Sequence, residues 1–308
     1  MDVIYDFPEF QEPTAVCLGN FDGVHRGHRF LIEETVKCAK ELGLPSIVLT
    51  FEPHPEKVLH SAKQFKRILT NELKTELIAK LGVDFLIYFP FSMETAKMSP
   101  EEFITVALKD GCKASHIFTG FNYTFGKGGI GTTNTLLRFS KILDYQFHVI
   151  PPYIIKDKVV SSSLIRNCLA AGKIEEAKEL LGYWPILRGK VGHGAQRGST
   201  IGFPTANIEI DSEILTPRNG VYASQINYGN KLFWGMTNIG LKPTIGKDLP
   251  ITIEVNIFDF DDNIYDETIT LELMKFIRPE KKFNSLSELK DQLARDEKEI
   301  RNYLNKLA

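Results

Sequence analysis

The sequence predicts an α/β half with a parallel sheet, followed by a small antiparallel β-barrel with one C-terminal helix. Three observations predict it. Apolar strand-like runs alternate with amphipathic helical patterns through the first half, which argues a parallel sheet with covering helices. Near Gly182-Tyr183-Trp184-Pro185 the pattern changes to short strands separated by Gly, Asn and Pro turns, the grammar of a small barrel. The chain has 308 residues, more than one ordinary domain. The expected division is 1–183 and 184–308.

In chain order, the predicted strands of the first half are Ala15–Gly19, Ser46–Phe51, Asp84–Phe89, His116–Thr119 and Phe147–Ile150. Helical periodicity falls near Arg29–Leu42, Asn71–Leu81, Pro100–Lys109 and Thr132–Leu143. Ser99, Pro100 and Glu102 form a Ser-x-x-Glu start signal for the third of these. Two short helical patterns follow, Ser163–Ala171 and Ile174–Leu181. Beyond the boundary, Val221–Asn227 and Lys231–Thr237 flank the hairpin loop Tyr228-Gly229-Asn230. Thr252–Phe260 and Thr268–Phe276 are further strands, and a charged amphipathic helix, about Ser285–Leu307, closes the chain.

Composition narrows the function classes. Hydrophobic residues are 43% and charged residues 25%, ordinary globular values that exclude disorder and low-complexity scaffolds. Lys+Arg total 37 against 39 Asp+Glu, so there is no basic excess for a nucleic-acid surface. The four cysteines, Cys17, Cys38, Cys112 and Cys168, form no Cys-x-x-Cys pair, and their spacing predicts neither a disulfide framework nor a zinc site. The acidic, proline-broken start is not that of a signal peptide, and no apolar run approaches the roughly 18 residues of a membrane helix. A reduced, soluble, cytoplasmic protein is expected.

Two constellations carry chemistry. In the first, the strand ending at Gly19 runs into Asn20-Phe21-Asp22-Gly23-Val24-His25-Arg26-Gly27-His28 and then a helix. Two imidazoles at a strand-to-helix turn sit where free N–H groups and the helix dipole favour anions. They could donate to phosphate oxygens as charge builds; a polar turn with surface histidines is the other reading. Ser161-Ser162-Ser163 with Arg166 places hydroxyls and a guanidinium at a helix start. Gly120-Phe121-Asn122-Tyr123-Thr124-Phe125 follows a strand, either as aromatics capping the core or as a platform for a flat ring. In the second, four glycines between Gly189 and Gly198, Gly192 among them, could turn backbone N–H groups toward phosphates. Thr205 and Asn207, two apart, could share one face of an extended segment and ligate a hard cation, or form a local turn. Thr252–Ile257 alternates, with Glu254 off the apolar face.

The runs GNFDGVHRGH, FEPHP at 51–55, GFNYTFGKG at 120–128 and SSSLIR at 161–166 resemble the adenylyltransferase half of bacterial bifunctional riboflavin kinase/FAD synthetases. RGKVGHGAQRGSTIGFPTAN, NGVYAS at 219–224, NIGLKPTIG at 238–246, IEVNIFDF at 253–260 and IRPEKKF at 277–283 resemble the riboflavin kinase module of the same family. The resemblance implies a Rossmann-like nucleotidyltransferase domain ahead of the barrel. It implies ATP contacts from Gly19, Phe21, Gly23, His25, His28, Ser161, Ser162 and Arg166 in the first half, and from Gly192, Gly198, Thr205 and Asn207 in the second. It further implies transition-state stabilisation by His25, His28 and Arg166, and Mg²⁺ held by Thr205 and Asn207 with the ATP phosphates. Glu254 would be the base for the ribityl hydroxyl; Asn122, Tyr123, Phe125 and Arg278 would contact flavin. The implied reactions convert riboflavin to FMN and FMN to FAD with ATP. The alternatives are another His-x-Gly-His nucleotidyltransferase, or a flavin-binding regulator or kinase-only relic; retention of His25, His28, Arg166, Thr205, Asn207 and Glu254 argues against decay. The expected partners are small molecules, with no nucleic acid and no membrane.

Overall fold

The computed structural model describes residues 1–59, 65–193, 202–229, 231–241 and 251–306. The chain divides into two units, Met1–Ser162 and Ser163–Ala308.

The first unit is built on six strands: β1 (Asp2–Ile4), β2 (Thr14–Leu18), β3 (Ser46–Glu52), β4 (Phe85–Pro90), β5 (Ala114–Gly120) and β6 (Gln146–Ile150). Their order is β1-β4-β3-β2-β5-β6, and every pair is parallel. The five expected strands are all present. β1 was not expected: three residues in an acidic, proline-broken start carry no period of their own, and pairing with β4 makes them a strand.

Helix α1 (Arg26–Leu42) turns Leu31, Ile32, Val36 and Ala39 into the interior, and α2 (Asn71–Ala79) buries Leu73 and Ile78. α2 hydrogen-bonds to β4 through Thr75 and the Tyr88 hydroxyl, 3.0 Å apart. One core cluster joins Val16, Leu18, Ile47, Leu49 and Ile117 of the sheet to Phe103, Ile104, Leu108 and Leu136. The expected capping box is formed: Ser99 accepts from Glu102 N, and Glu102 accepts from Ser99 N. It starts one α-turn, Pro100–Glu102, after which Phe103–Gly111 runs as a π-helix instead of the expected α-helix. The i→i+5 bond from Cys112 N to Ala107 O closes this wider turn, which keeps Phe103, Ala107, Leu108 and Cys112 on the core. Helix α3 (Thr133–Ser140) precedes β6.

In the second unit, α4 (Ser162–Ala171, its first residue shared with unit one) and α5 (Ile174–Leu181) precede a closed barrel. Its strands are β7 (Ile186–Gly192), β8 (Ala206–Ile210), β9 (Gly220–Tyr228), β10 (Lys231–Leu241), β11 (Ile251–Ile257) and β12 (Thr268–Arg278). They close antiparallel in the order β7-β8-β11-β10-β9-β12. Inside lie alternate residues such as Tyr222, Ile226, Ile239, Ile253, Val255 and Leu271. Helix α6 (Leu286–Leu304), capped by Ser285, covers Val221, Ala223, Met236 and Met274 with Ile300 and Leu304. The first half of β9, Gly220–Ser224, is thus buried on both faces.

Gly220 opens β9 with φ +151°, and a Cβ there would collide with the Arg278 carbonyl and the Phe276 ring. Gly220→Ala is expected to cost about 2–4 kcal/mol, from backbone strain plus overpacking. Gly229→Ala, at φ +56° with open space around it, is expected to cost about 1 kcal/mol. Urea unfolding of both variants checks the ranking; equal losses would show that the Gly220 contacts relax freely.

Candidate functional site

The first candidate site grows from the turn between β2 and α1. Phe21, Gly23 and Val24 all have positive φ (49°, 83° and 33°). For two non-glycine residues that is strained backbone, and it is held from several sides. Phe21 and Val24 are fully buried. Asp22 accepts from Ile68 N at 2.9 Å, and Thr50 donates to Asn20 O at 3.1 Å. Ser162 donates to the Asp22 carbonyl at 2.9 Å, which brings the serine run, Ser161 included, to this turn. Gly19 is constrained by the Phe21 ring, which would lie 3.0 Å from a Cβ there.

His25 is the N-cap of α1: its Nδ1 accepts from His28 N at 3.2 Å. The helix therefore begins three residues earlier than its periodicity predicts, because a histidine supplies the cap. An Nδ1 that accepts carries no proton, so in the neutral ring Nε2 is the N–H donor. The two imidazoles stack with centroids 3.5 Å apart and 14° between planes, and Phe21 meets His28 edge-on at 5.3 Å. His25 is buried and His28 half-buried. Burial pushes His25 down to about 4, and burial, then His25 and Lys74, holds His28 well below the ordinary imidazole value. Both are neutral at pH 7. The Nδ1 of His28 is buried with no hydrogen-bond partner among the described residues.

Lys74 of α2 is a residue that sequence reasoning missed, since it reads as an ordinary solvated helix lysine. It is 3% exposed, its Nζ lies 3.5 Å from Asn20 O and 5.2 Å from the Tyr88 ring centroid. Burial pushes it down to about 8, opposed by Asp22 and Glu52, so it remains mostly protonated at pH 7. Arg166 lies on α4, one turn beyond Ser162. In the 120–125 loop, Phe121 and Asn122 are exposed, Tyr123 is half-buried and stacks on Phe125, and Phe125 packs into the core against Phe103.

The second candidate site lies on the barrel. Asn207 of β8 stands opposite Glu254 of β11, and Glu254 opposite Asn238 of β10. Directly opposed residues share a face, so these three form a polar row across three strands, each half-buried. Thr205 immediately precedes β8, and its segment is tied down by Asn256, whose amide donates to Pro204 O at 2.7 Å. Asn256, on the same face of β11 as Glu254, is the second residue missed; strand alternation marked its face but not its partner. Gly189 and Gly192 lie in the β7 ladder, not in a free loop, and Gly192 is paired with Asn207. A Cβ at Gly189 would strike the Glu209 carbonyl, so this glycine serves the close approach of β7 and β8. Gly198 lies outside the described residues. Arg278 forks onto Asp296 of α6, Nε to Oδ2 at 2.8 Å and Nη2 to Oδ2 at 2.7 Å, and Asp296 is 2% exposed. Its guanidinium is thereby fixed, with Phe283 5.8 Å away.

Among known proteins, the family model for FAD synthetase matches residues 7–164, and that for riboflavin kinase matches residues 181–304. The chain belongs to the bifunctional riboflavin kinase/FMN adenylyltransferase family. A member from Listeria monocytogenes is 39% identical over 296 residues, covering 95% of this chain and 93% of its own. One from Bacillus subtilis is 38% identical over 304 residues, covering 97% and 95%. The Escherichia coli K12 member is 34% identical, covering 95% and 93%. A crystal structure from Streptococcus pneumoniae, described as a macrolide-efflux protein, superposes with a TM-score of 0.88 at 32% identity over 98% of each chain. Among the described residues of the present chain, no helix is long and apolar enough to cross a membrane.

In this family member the paired imidazoles make stability depend on pH. The folded value of His25, about 4, lies below its unfolded value of 6.5. The unfolded chain therefore binds the extra proton, and the stabilisation is complete above pH 6.5 and lost as pH falls toward 4, by up to about 3 kcal/mol. His25→Asn keeps a capping acceptor and removes the titration. Thermal melts of wild type and variant between pH 7.5 and 4.5 are expected to converge toward acid; parallel curves would show that His25 protonates without cost.

Proposed function

We propose that this chain makes FMN and then FAD. Its barrel would transfer the γ-phosphoryl of ATP to the 5′-hydroxyl of riboflavin, giving FMN and ADP. Its α/β module would transfer AMP from a second ATP to FMN, giving FAD and pyrophosphate. The observation that carries the proposal is the presence, in one chain, of a stacked histidine pair at a helix N-terminus and of an Asn207–Glu254 pair on a barrel. Each lies within the residues matched by its own family model. For function we set the boundary between the modules at 183/184.

In the adenylylation, an FMN phosphate oxygen attacks the α-phosphorus and the bond to pyrophosphate breaks. No covalent protein intermediate is needed; positioning and charge stabilisation are the task. His25, capped through Nδ1, offers its Nε2–H to phosphate oxygens, and His28 stands stacked beside it. Their neutrality suits donation of dipoles from a partly buried site. Ser161 and Ser162, with Gly19, Phe21 and Gly23 shaping the turn, would hold the nucleotide; Arg166 is assigned to it from the SSSLIR run. Lys74 adds a buried cation coupled to His28. Asn122, with Tyr123, would receive the flavin, and Phe125 would support that loop from the core.

In the phosphorylation, Glu254 would accept the proton of the ribityl hydroxyl as its oxygen bonds to the γ-phosphorus and ADP departs. Thr205 and Asn207 offer neutral oxygen donors beside a carboxylate, a set that suits a hard cation such as Mg²⁺. Bound there with ATP, Mg²⁺ would neutralise phosphate charge. Gly192 and Gly198 would approach the phosphates through backbone N–H groups. Arg278, anchored by Asp296, would present the edge of the flavin site. Four cysteines in no disulfide support a reducing, cytoplasmic location.

The test is to incubate the protein with riboflavin and Mg-ATP and separate the flavins; a pure flavin binder forms neither FMN nor FAD. His28→Ala is expected to slow FAD formation by roughly a hundredfold, leaving FMN formation nearly intact. Glu254→Gln is expected to slow FMN formation by about a hundredfold or more, leaving FAD formation from supplied FMN intact. Initial rates with each substrate, alongside melting temperatures, decide both assignments. Unchanged rates would return His28 to a packing role and Glu254 to a strand face.

A further inference from the structure

One side-chain cluster of the first unit lies outside the residues assigned to either reaction. Cys38 of α1, His116 of β5 and His148 of β6 bring a thiol and two imidazoles together, with one ligand atom from each lying within 4.8 Å of the other two. All three residues are half-buried. β5 and β6 are adjacent, with Phe118 directly opposite His148, so His116 and His148 point from the same face.

The cluster is already arranged for coordination. Ser115 donates its hydroxyl proton to Thr14 O at 3.2 Å. Its oxygen also lies 3.2 Å from His116 Nδ1. With its one proton on that carbonyl, the hydroxyl accepts from His116, and Nδ1 then carries the hydrogen. The lone pair of His116 is thereby left on Nε2, the same outer hydrogen-bond device that orients metal-bound imidazoles. His148 is held flat on Phe118, centroids 4.2 Å apart and planes 10° apart, and stacks at 5.6 Å on His116. Its Nε2 is buried with no hydrogen-bond partner among the described residues. A buried polar atom left unsatisfied in a fixed ring costs free energy unless something binds it.

We propose that Cys38, His116 and His148 bind one borderline-soft divalent cation of the Zn²⁺ class. Two imidazoles and a thiolate suit Zn²⁺ and disfavour Mg²⁺. Zn–S is about 2.3 Å and Zn–N about 2.0–2.1 Å, which places tetrahedral ligand atoms roughly 3.5 Å apart, so about an ångström of side-chain adjustment gathers the three onto one ion. On binding, the S–H proton passes to solvent, the sulfur–metal bond forms, and the fourth position keeps a water. Cys38 lies ten residues beyond His28 on α1, about 15 Å along the helix axis. The ion is therefore a clasp: it would fasten the C-terminal half of α1 to β5 and to β6, the last strand of the sheet. Sequence spacing of thiols does not find it, because the ligands come from three separate elements.

The full chain, stripped of metal with a chelator, is titrated with Co²⁺ in excess Mg²⁺ and without ATP. One equivalent is expected to bind with a thiolate-to-cobalt charge-transfer band and the visible bands of a four-coordinate ion, both abolished by one equivalent of Zn²⁺. Cys38→Ser is expected to remove the charge-transfer band. His148→Ala is expected to weaken binding at least tenfold, and Ser115→Ala, which releases the His116 tautomer, about tenfold. Absence of the band in the wild-type protein overturns the proposal whatever the variants do. So does a band that survives Cys38→Ser, since it would belong to another thiol.

Discussion

The strained turn between β2 and α1 is the constraint on which the first site depends. Two non-glycine residues, Phe21 and Val24, occupy left-handed backbone, each at a cost on the order of 1–3 kcal/mol. Both are completely buried, and burying side chains of that size stabilises by roughly 1.5–3 kcal/mol each, so the two effects are of the same size. Asp22 then locks the turn to Ile68 N. Release of this turn would free His25 from its capping position and take His28 out of its stack. The strained backbone of this turn lies directly before His25, where geometry must be fixed before a ligand arrives.

Histidine tautomers are set in this fold by what the other ring nitrogen does. His25 accepts through Nδ1, so its available N–H is at Nε2. With Ser115 donating to Thr14 O, His116 donates through Nδ1 to Ser115, which leaves its lone pair at Nε2. One arrangement presents a donor suited to an oxyanion and the other an acceptor suited to a cation. The two sites use the same side chain for opposite charges, and a single neighbouring hydrogen bond makes the difference.

In the barrel, closure settles the problem of unpaired edges, and helix α6 settles the outer face of β9 and β12. The buried ion pair between Arg278 and Asp296 joins the end of β12 to that helix. Such a pair contributes little net stability against an apolar equivalent, but breaking it strands a buried charge, so it fixes orientation firmly. The polar row Asn207–Glu254–Asn238 occupies a stretch of the outer face where pairing register, not a loop, sets the spacing of functional groups.

Period and punctuation made most of the fold legible. Alternating apolar runs located five sheet strands, the Ser99–Glu102 box located a helix start, and the Gly182–Pro185 break located the change from α/β to barrel. The order and spacing of motifs made the chemistry legible, since a helix N-terminus and a strand face are local properties. Other features were not legible, because they are decided by residues distant in the chain. β1 is a strand only because β4 pairs with it. Phe103–Gly111 takes the wider π turn while holding its apolar residues on the core. Lys74 is buried by the turn it meets, Asn256 works through Pro204, and Cys38 joins two histidines from separate strands. Sequence alone determined most of the elements and which residues carry reactive groups, because propensity, capping and alternation act within a few residues. Only the tertiary structure decided which groups stand together and in which protonation state, because burial and cross-strand register arise only when distant segments pack.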